Sequence, residues 1–215
     1  MAQIFQSIKD VEMASIIYLV RHAQASFGAQ NYDVLSEKGH EQSSALGKAL
    51  ARQGVRFSSI VRGAQRRHRE TLEGMSGALG FDPDQAQIFE GLNEFDFRGL
   101  LQARFAGGAM PEGLGKDKKK HFKILHDTVL CWQRNEIENP PEDWSGFSDR
   151  VRDAFDRAAS AEGPVLVVSS GGAISWILAH VMEAPASTMI RLQLQMKNAS
   201  VSRILATPSL SYLHG

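Results

Sequence analysis

Two apolar segments of the sequence end abruptly in residues that could bind and transfer a phosphate group. Arg21 and His22 follow the run at residues 16–20, and two serines and two glycines follow the run at residues 164–168. The guanidinium of an arginine matches the oxygens of a phosphate in a bidentate arrangement. A neutral imidazole beside a phosphate held in this way is suited to act as a nucleophile. Taken alone, His22 fits a structural, partly buried histidine equally well, so its context has to decide.

The residues around these motifs indicate which elements would position them. A short apolar run without alternation is typical of a strand that is buried on both faces. Apolar residues at helical spacing between Ser36, as N-cap, and Gly54, as stop, predict the first helix. The predicted strands are residues 16–20, 57–61, 88–89, 164–168 and 200–206, and further helices are predicted at 66–79 and 173–182.

This alternation of strands and helices predicts an α/β fold with a mostly parallel sheet and helices on both faces. We expect strands 16–20 and 164–168 to be adjacent and parallel at the centre of the sheet. Ligands of such sheets bind beyond the carboxyl ends of the strands, so both polar motifs should line one cleft. Gly171 and Gly172, at a helix start, would add backbone N–H groups and a helix dipole that favour an anion.

The stretch from residue 98 to residue 161 differs in character from the rest of the chain. It contains no convincing strand, and it carries a Gly-rich piece and a Pro140-Pro141 break. We interpret it as a mainly helical cap insertion over one end of the sheet. The 215 residues suit one α/β domain with a sizeable core. The sequence therefore predicts a single domain over 1–215, in which residues 1–12 are an extension ahead of the first strand.

The composition excludes several classes of protein. Lys+Arg and Asp+Glu both number 24, which argues against a nucleic-acid binder because such proteins normally carry a basic excess. No apolar run approaches the roughly 18 residues of a membrane span, and the N-terminal residues do not have the pattern of a signal peptide. Cys131 is the only cysteine, which fits a reducing compartment. We therefore expect a cytoplasmic protein without nucleic-acid or membrane partners.

Several short motifs, taken in order, resemble those of one enzyme family. They are Leu19-Val20-Arg21-His22, Leu35-Ser36-Glu37-Lys38-Gly39 with Gln42, Arg67-His68-Arg69-Glu70-Thr71, Leu92-Asn93-Glu94, Val167-Val168-Ser169-Ser170-Gly171-Gly172, and Asn198-Ala199-Ser200. Each one alone is a weak signal, but the ordered set is similar to the landmarks of the histidine phosphatase superfamily. This resemblance implies the three-layer, phosphoglycerate mutase-like α/β fold.

The resemblance also implies a role for each matching residue. His22 would be the nucleophile that is transiently phosphorylated, and Arg21 and Arg67 would hold the phosphoryl oxygens and offset transition-state charge. Glu94 would protonate the leaving oxygen and then activate water. Arg21, Arg67, Ser170 and Gly171 form the implied phosphate-binding set, with neither a metal nor a cofactor. The implied substrate is a phosphorylated small molecule or a phosphopeptide, and homo-oligomerisation is left open.

This sequence departs from the family pattern at four positions. Ala23 replaces the usual glycine, and Ala25 and Gly28 stand where mutase-like members have a hydroxyl residue and an asparagine. Ser170 occupies the place of the second catalytic histidine, so by comparison with lost oxyanion donors we expect a penalty of about 10²-fold or more. Restoring a histidine by Ser170→His should then raise kcat.

His68 is the one nearby histidine that could in principle replace the missing one. On its position in the predicted helix 66–79, however, we expect it to point outward.

Three functions are compatible with these residues. The first is a metal-independent phosphomonoesterase that acts through phosphohistidine at His22, favoured by retention of Arg21, Arg67 and Glu94. The second is a catalytically weakened phosphate-binding or regulatory protein, favoured by Ser170. The third, a phosphoglycerate mutase, is disfavoured because a mutase must protect its phosphoenzyme from water and needs both histidines.

Overall fold

A computed structural model describes residues 14–26, 33–112, 114, 117–207 and 210–214 of the chain. The predicted extension at residues 1–12 and the departure at Gly28 lie outside the described residues.

The described residues form a six-stranded, mostly parallel sheet. The strands are β1 Ser15–Arg21, β2 Ser59–Arg62, β3 Gln87–Ile88, β4 Val165–Ser169, β5 Val201–Ala206 and β6 Ser211–Leu213. Their spatial order is β3-β2-β4-β1-β5-β6. The first four are parallel to one another, β5 is antiparallel to β1, and β6 is antiparallel to β5. The α/β class and the mostly parallel sheet predicted from the sequence are thereby confirmed.

The two motif-bearing strands lie side by side at the centre of this sheet. In the parallel pairing of β1 with β4, Ile17 is opposite Val165 and Arg21 is opposite Ser169. Because the strands are parallel and in register to their last residues, both chains leave the sheet at the same edge. The predicted juxtaposition of the segments after β1 and β4 is confirmed, and this edge carries the site.

Side chains from these central strands enter two separate cores, one on each face of the sheet. Ile17 and Leu19 of β1 contribute to one core, and Tyr18 and Val20 contribute to the other. All four are at most 7% exposed, so the apolar run without alternation reflects burial on both faces rather than on one.

The described ranges contain seven α-helices. They are α1 Glu37–Arg52, α2 Arg66–Leu79, α3 Phe97–Arg104, α4 Lys118–Gln133, α5 Trp144–Ala159, α6 Gly171–Val181 and α7 Ser187–Gln195. Helix α1 begins after Ser36, whose hydroxyl accepts a hydrogen bond from the backbone N–H of Gly39 at 3.1 Å. Helices α1 and α2 pack on the face of Tyr18, whereas α4 to α7 contribute to the core on the face of Ile17. Within the described ranges, no helix is long and apolar enough to cross a membrane.

The described residues of the segment 98–161 are mainly helical, as expected, but not all of them form a cap. Phe147 and Val151 of α5 are fully buried in the same core as Ile17, and α5 contacts β1 and β4. Trp132 of α4 joins that core as well. Helix α5 is therefore part of the helical layer on one face of the sheet, because its amphipathic face covers that face and not the edge of the sheet.

Candidate active site

His22 lies directly beyond the end of β1 and is nearly enclosed, with 4% of its surface exposed. Its Nδ1 lies 2.8 Å from the carbonyl oxygen of Ala23, so Nδ1–H donates there and the lone pair of the neutral ring is on Nε2. Burial, reinforced by the charges of Arg67 and Arg21, lowers the pKa of His22 from 6.5 to about 3. The ring is therefore neutral near neutral pH, with Nε2 as a nucleophilic nitrogen.

The backbone around His22 is held by hydrogen bonds with residues of three distant parts of the chain. The N–H of His22 donates to the carbonyl of Ser169 on β4 at 2.8 Å. The N–H of Ala23 donates to the hydroxyl of Thr71 on α2 at 3.0 Å. The amide of Asn198 donates to the carbonyl of His22 at 3.2 Å. These bonds orient the imidazole before any ligand arrives, and they account for the threonine and asparagine in the sequence motifs.

Two arginines supply positive charge beside His22. Arg67, in the first turn of α2, is 5% exposed, and its Nη1 lies 2.7 Å from Oδ1 of Asp33. Its Nη2 donates to Oε1 of Gln65 at 2.7 Å. Arg21 donates through Nη1 to the carbonyl of Met196. Because both guanidinium groups lower the pKa of His22, the site favours an anion next to the ring.

Glu94 follows the short 3₁₀-helix Glu90–Leu92 and faces the start of α6. Its Oε2 accepts a hydrogen bond from the backbone N–H of Gly172 at 2.9 Å, and its Oε1 accepts one from the backbone N–H of Phe95 at 3.3 Å. Burial raises the pKa of Glu94 above its ordinary value, against the opposing effects of these N–H groups and of both site arginines. A carboxyl with a raised pKa holds its proton more readily, which suits an acid that protonates a leaving oxygen.

Ser170 is fully buried at the junction between β4 and α6. It sits at the N-cap position of α6, yet its side chain makes no capping hydrogen bond. Its hydroxyl instead contacts Nη2 of Arg67 at 3.2 Å and Nε2 of His68 at 2.7 Å. The hydroxyl therefore bonds to side chains of the site and does not cap the helix.

The expectation that His68 points outward is wrong. His68 is 0% exposed, and its ring centroid lies 5.8 Å from that of His22. The signal was present in the sequence, because His68, Leu72 and Met75 recur at the spacing of one helical face, and the latter two are core residues. A histidine on an apolar stripe belongs to the buried side of its helix.

The structure also assigns positions to two residues that sequence reasoning missed. Oε1 of Gln65 accepts hydrogen bonds from Arg67 and, at 3.1 Å, from the backbone N–H of Glu94. Oδ1 of Asn93 in turn accepts the backbone N–H of Ala64 at 2.7 Å. Gln65 therefore ties an arginine to the acidic residue, and only tertiary contacts show this.

The structure brings all six residues of the predicted site to this edge of the sheet. Arg67 is hydrogen-bonded to Ser170 and, through Gln65, to Glu94, and its charge lowers the pKa of His22. A Cβ on Gly171 would lie 3.3 Å from Nε of Arg21, so the backbone at the start of α6 lies against that guanidinium. The roles assigned to these residues remain predictions. Among the described residues, no group of three or more His, Cys, Asp or Glu side chains could hold a metal ion.

The chain matches the histidine phosphatase superfamily (branch 1) over residues 17–213, and it belongs to that superfamily. This confirms the family inferred from the ordered motifs and, with it, the expectation of an enzyme of the histidine phosphatase type.

Two curated relatives are 2,3-bisphosphoglycerate-dependent phosphoglycerate mutases. That of Beijerinckia indica subsp. indica is 28% identical over 135 residues, a match that spans 60% of this chain and only 59% of the relative. That of Rhizobium meliloti (strain 1021) is 26% identical over 196 residues, covering 85% of this chain and 86% of the relative.

A solved structure described as mycobacterial glucosyl-3-phosphoglycerate phosphatase in complex with VO3 has the same fold. It matches with a TM-score of 0.64 and 18% identity, over 94% of this chain and 98% of that one.

Proposed function

We propose that this protein is a phosphomonoesterase that forms a phosphohistidine intermediate on His22. The observation that carries the proposal is the state of the His22 ring. Its Nδ1 is tied to the carbonyl of Ala23, and its pKa is lowered to about 3, so Nε2 presents a lone pair beside Arg21 and Arg67. A neutral nucleophile among positive charges suits attack on a phosphate dianion.

In the first step, Nε2 of His22 attacks phosphorus while the bond from phosphorus to the ester oxygen breaks. Arg21 and Arg67 hold the phosphoryl oxygens and stabilise the charge that they carry in the transition state. Glu94, whose pKa is raised by burial, gives its proton to the departing oxygen. The products are a neutral alcohol, an ionised Glu94 and phosphohistidine.

In the second step, ionised Glu94 accepts a proton from water, whose oxygen attacks the phosphorus. The bond between phosphorus and Nε2 breaks, inorganic phosphate leaves, and Glu94 is again protonated. The same carboxyl serves as acid and then as base. The two guanidinium groups supply the positive charge for both steps, so we propose that turnover requires no metal ion.

The substrate we propose is a phosphorylated small molecule or a phosphopeptide. A phosphatase among the structural neighbours is consistent with hydrolysis, whereas the named relatives are mutases. We favour hydrolysis because a mutase has to protect its phosphoenzyme from water and Ser170 stands at the position of the second family histidine.

The test is hydrolysis of an aryl phosphate in the presence of a metal chelator, followed by mass spectrometry of the acid-sensitive phosphoenzyme. We expect steady turnover by the wild type, a phosphoryl group on the peptide that contains His22, and no activity in His22→Asn. A phosphoryl group on another residue, or full activity in His22→Asn, would overturn the mechanism. Transfer to 3-phosphoglycerate instead of water would identify a mutase.

A second candidate function is supported by Ser170, which supplies no charge where the family has a histidine. In that case the protein is a phosphate-binding member of the fold that has lost efficient turnover. The same experiment separates the two, because such a protein would bind phosphate or vanadate beside His22 without steady release of product.

A further inference from the structure

The Ser170 hydroxyl has three polar neighbours for its three hydrogen-bonding positions. It carries one proton and two lone pairs. Arg67 donates to one lone pair, from Nη2 at 3.2 Å. Two contacts remain for the other lone pair and the proton, namely Nε2 of His68 at 2.7 Å and Oε1 of Gln65 at 3.3 Å. The direction of the bond to His68 therefore decides where the hydroxyl proton can point.

The Gln65 contact has a fixed direction. Oε1 of Gln65 also accepts from Arg67 and from the backbone N–H of Glu94, so it is the carbonyl oxygen that faces Ser170. A carbonyl only accepts, so Ser170 would be the donor in this contact. The hydroxyl can then receive a hydrogen bond from His68 while it directs its own proton elsewhere.

The two nitrogens of the His68 ring face different partners, Gly63 and Ser170. Burial, with the charges of His22 and Arg67, holds the pKa of His68 well below its ordinary value, so the neutral ring carries one N–H. Nδ1 of His68 faces the backbone of Gly63, which raises the pKa of His68 against these effects, but among the described residues this contact lacks the geometry of a hydrogen bond. Nε2 lies 2.7 Å from the Ser170 hydroxyl. Because that hydroxyl donates to Oε1 of Gln65, it accepts from His68, and the ring is the tautomer that carries its proton on Nε2.

Gly63 leaves the space in which this ring lies. A Cβ at that position would come 2.3 Å from Nδ1 of His68, which no side chain could tolerate without moving the imidazole. The position of the His68 ring next to Ser170 therefore depends on Gly63, which has no side chain to displace it.

We propose that His68 and Ser170 act together as the donor that the family obtains from a histidine at position 170. His68 donates Nε2–H to Ser170, and when substrate binds, Ser170 turns its hydroxyl proton from Oε1 of Gln65 to a phosphoryl oxygen of the group transferred to His22. His68 is a positioning residue, since it acts through Ser170, and neither residue gains or loses a proton in the reaction. The inference rests on the proposed function and adds to it which residues supply the hydrogen bond that a histidine at position 170 supplies in the family.

This pairing changes the expected effect of restoring the family histidine. Ser170 is fully buried and its Oγ is 2.7 Å from the His68 ring, so an imidazole at position 170 would collide with His68. We expect Ser170→His alone to lower kcat. The double variant His68→Ala with Ser170→His removes the collision, returns one imidazole to the site and should be more active than His68→Ala.

The test compares kcat and KM on an aryl phosphate for a matched pair of variants. His68→Leu removes the donor at similar volume, and His68→Gln keeps an N–H, so kcat should fall by about 10²-fold in the first and by less in the second. KM should change less than kcat, because the bond to the phosphoryl oxygen strengthens in the transition state. Adding Ser170→Ala to His68→Leu should have little further effect, since both changes remove one shared donor. His214→Ala, an exposed histidine next to β6, is the control.

The proposal is overturned if folded His68→Leu retains the wild-type kcat, or if His68→Leu and His68→Gln are equally impaired. It is also overturned if the double variant with Ser170→His is no more active than His68→Ala. Should the wild type show no turnover at all, the proposed function fails, and vanadate affinity then tests the pair separately. Weaker vanadate binding by His68→Leu than by His68→Gln supports the pair, and equal binding contradicts it.

Discussion

At the scale of single residues, two buried ionisable groups have pKa values displaced in opposite directions. His22 is kept neutral by burial and by two arginines, and Glu94 is kept closer to its protonated form by burial. In the proposed mechanism, the neutral ring is the form that attacks and the protonated carboxyl is the form that gives a proton. Both displacements therefore favour the reactive forms at the same pH.

The first prediction concerns Glu94 and the leaving group. Glu94→Gln should reduce kcat/KM for an alkyl phosphate by about 10²–10⁴-fold, because an alkoxide is a poor leaving group without a proton donor. The same variant should affect an activated aryl phosphate much less in the first step and should release a rapid burst of the phenol before slow turnover. Rapid-mixing kinetics on both substrates measure this. An equal loss on both substrates would contradict the acid role.

The second prediction concerns His22 and the pH dependence of stability. Its pKa in the folded protein is about 3, whereas in the unfolded chain it is about 6.5. Between these values the unfolded state binds the proton and the folded state does not. The free energy of unfolding should therefore fall as the pH is lowered from about 6 to about 4, by up to about 1.4 kcal/mol per pH unit for this group.

Comparison with His22→Asn isolates this contribution. Denaturant unfolding across this range should show the wild type losing stability relative to the variant as the pH falls. If the free energy of unfolding depends on pH in the same way in both proteins, the fold does not hold the His22 ring neutral.

At the scale of elements, the start of α6 is fitted closely to Glu94. A Cβ on Gly172 would lie 2.0 Å from Oε1 of Glu94 and 2.6 Å from the ring of Phe95. The backbone N–H of Gly172 can approach the carboxylate only because no side chain intervenes. The glycine pair that the sequence suggested as an anion site therefore also positions the acidic residue.

The third prediction compares two glycines, each in a helix. Gly172→Ala should displace Glu94, lower kcat and reduce the free energy of unfolding. Gly77→Ala on α2, where a Cβ would meet nothing within 4 Å, should raise the free energy of unfolding by about 0.5–1 kcal/mol and leave kcat unchanged. Steady-state kinetics and thermal unfolding of both variants test this pair. Wild-type kinetics in Gly172→Ala would show that Glu94 does not need its present position.

At the scale of the whole molecule, the site depends on segments that are far apart in the sequence. The ends of β1 and β4 and the starts of α2 and α6 meet only when the sheet has formed with both of its cores. A ligand that bridges these elements binds the folded state alone, so its binding free energy adds to the stability of the entire domain.

The fourth prediction is that phosphate or vanadate raises the Tm of the protein. At a hundred-fold excess over Kd the stabilisation should be about 2.7 kcal/mol. Thermal unfolding at constant ionic strength measures it, and Arg21→Ala should show a much smaller shift. An equal shift in Arg21→Ala would mean that the anion binds elsewhere.

The sequence by itself determined the fold class, the central pair of strands and the group of residues that gathers at their ends. The strands and the residues directly after them follow from local patterns, since buried runs identify strands and parallel strands carry their carboxyl ends to one edge. Arg67 and Glu94 were expected in this group only because of the resemblance to the histidine phosphatase superfamily. It also identified α2 at its observed bounds, residues 66–79. Strand β6 and helix α7 were not predicted, because the conformation of such short segments depends on the residues that they pack against.

Only the tertiary structure decided what replaces the family histidine at Ser170. The partners of the Ser170 hydroxyl lie 102 to 105 residues away in the chain, and no local pattern links positions so distant. Whether His68 faces solvent or the site depends on which side of α2 is buried, and the packing of α2 against the sheet settles that. Hydrogen-bond direction follows in turn from which partners are close enough, which is a property of the assembled fold.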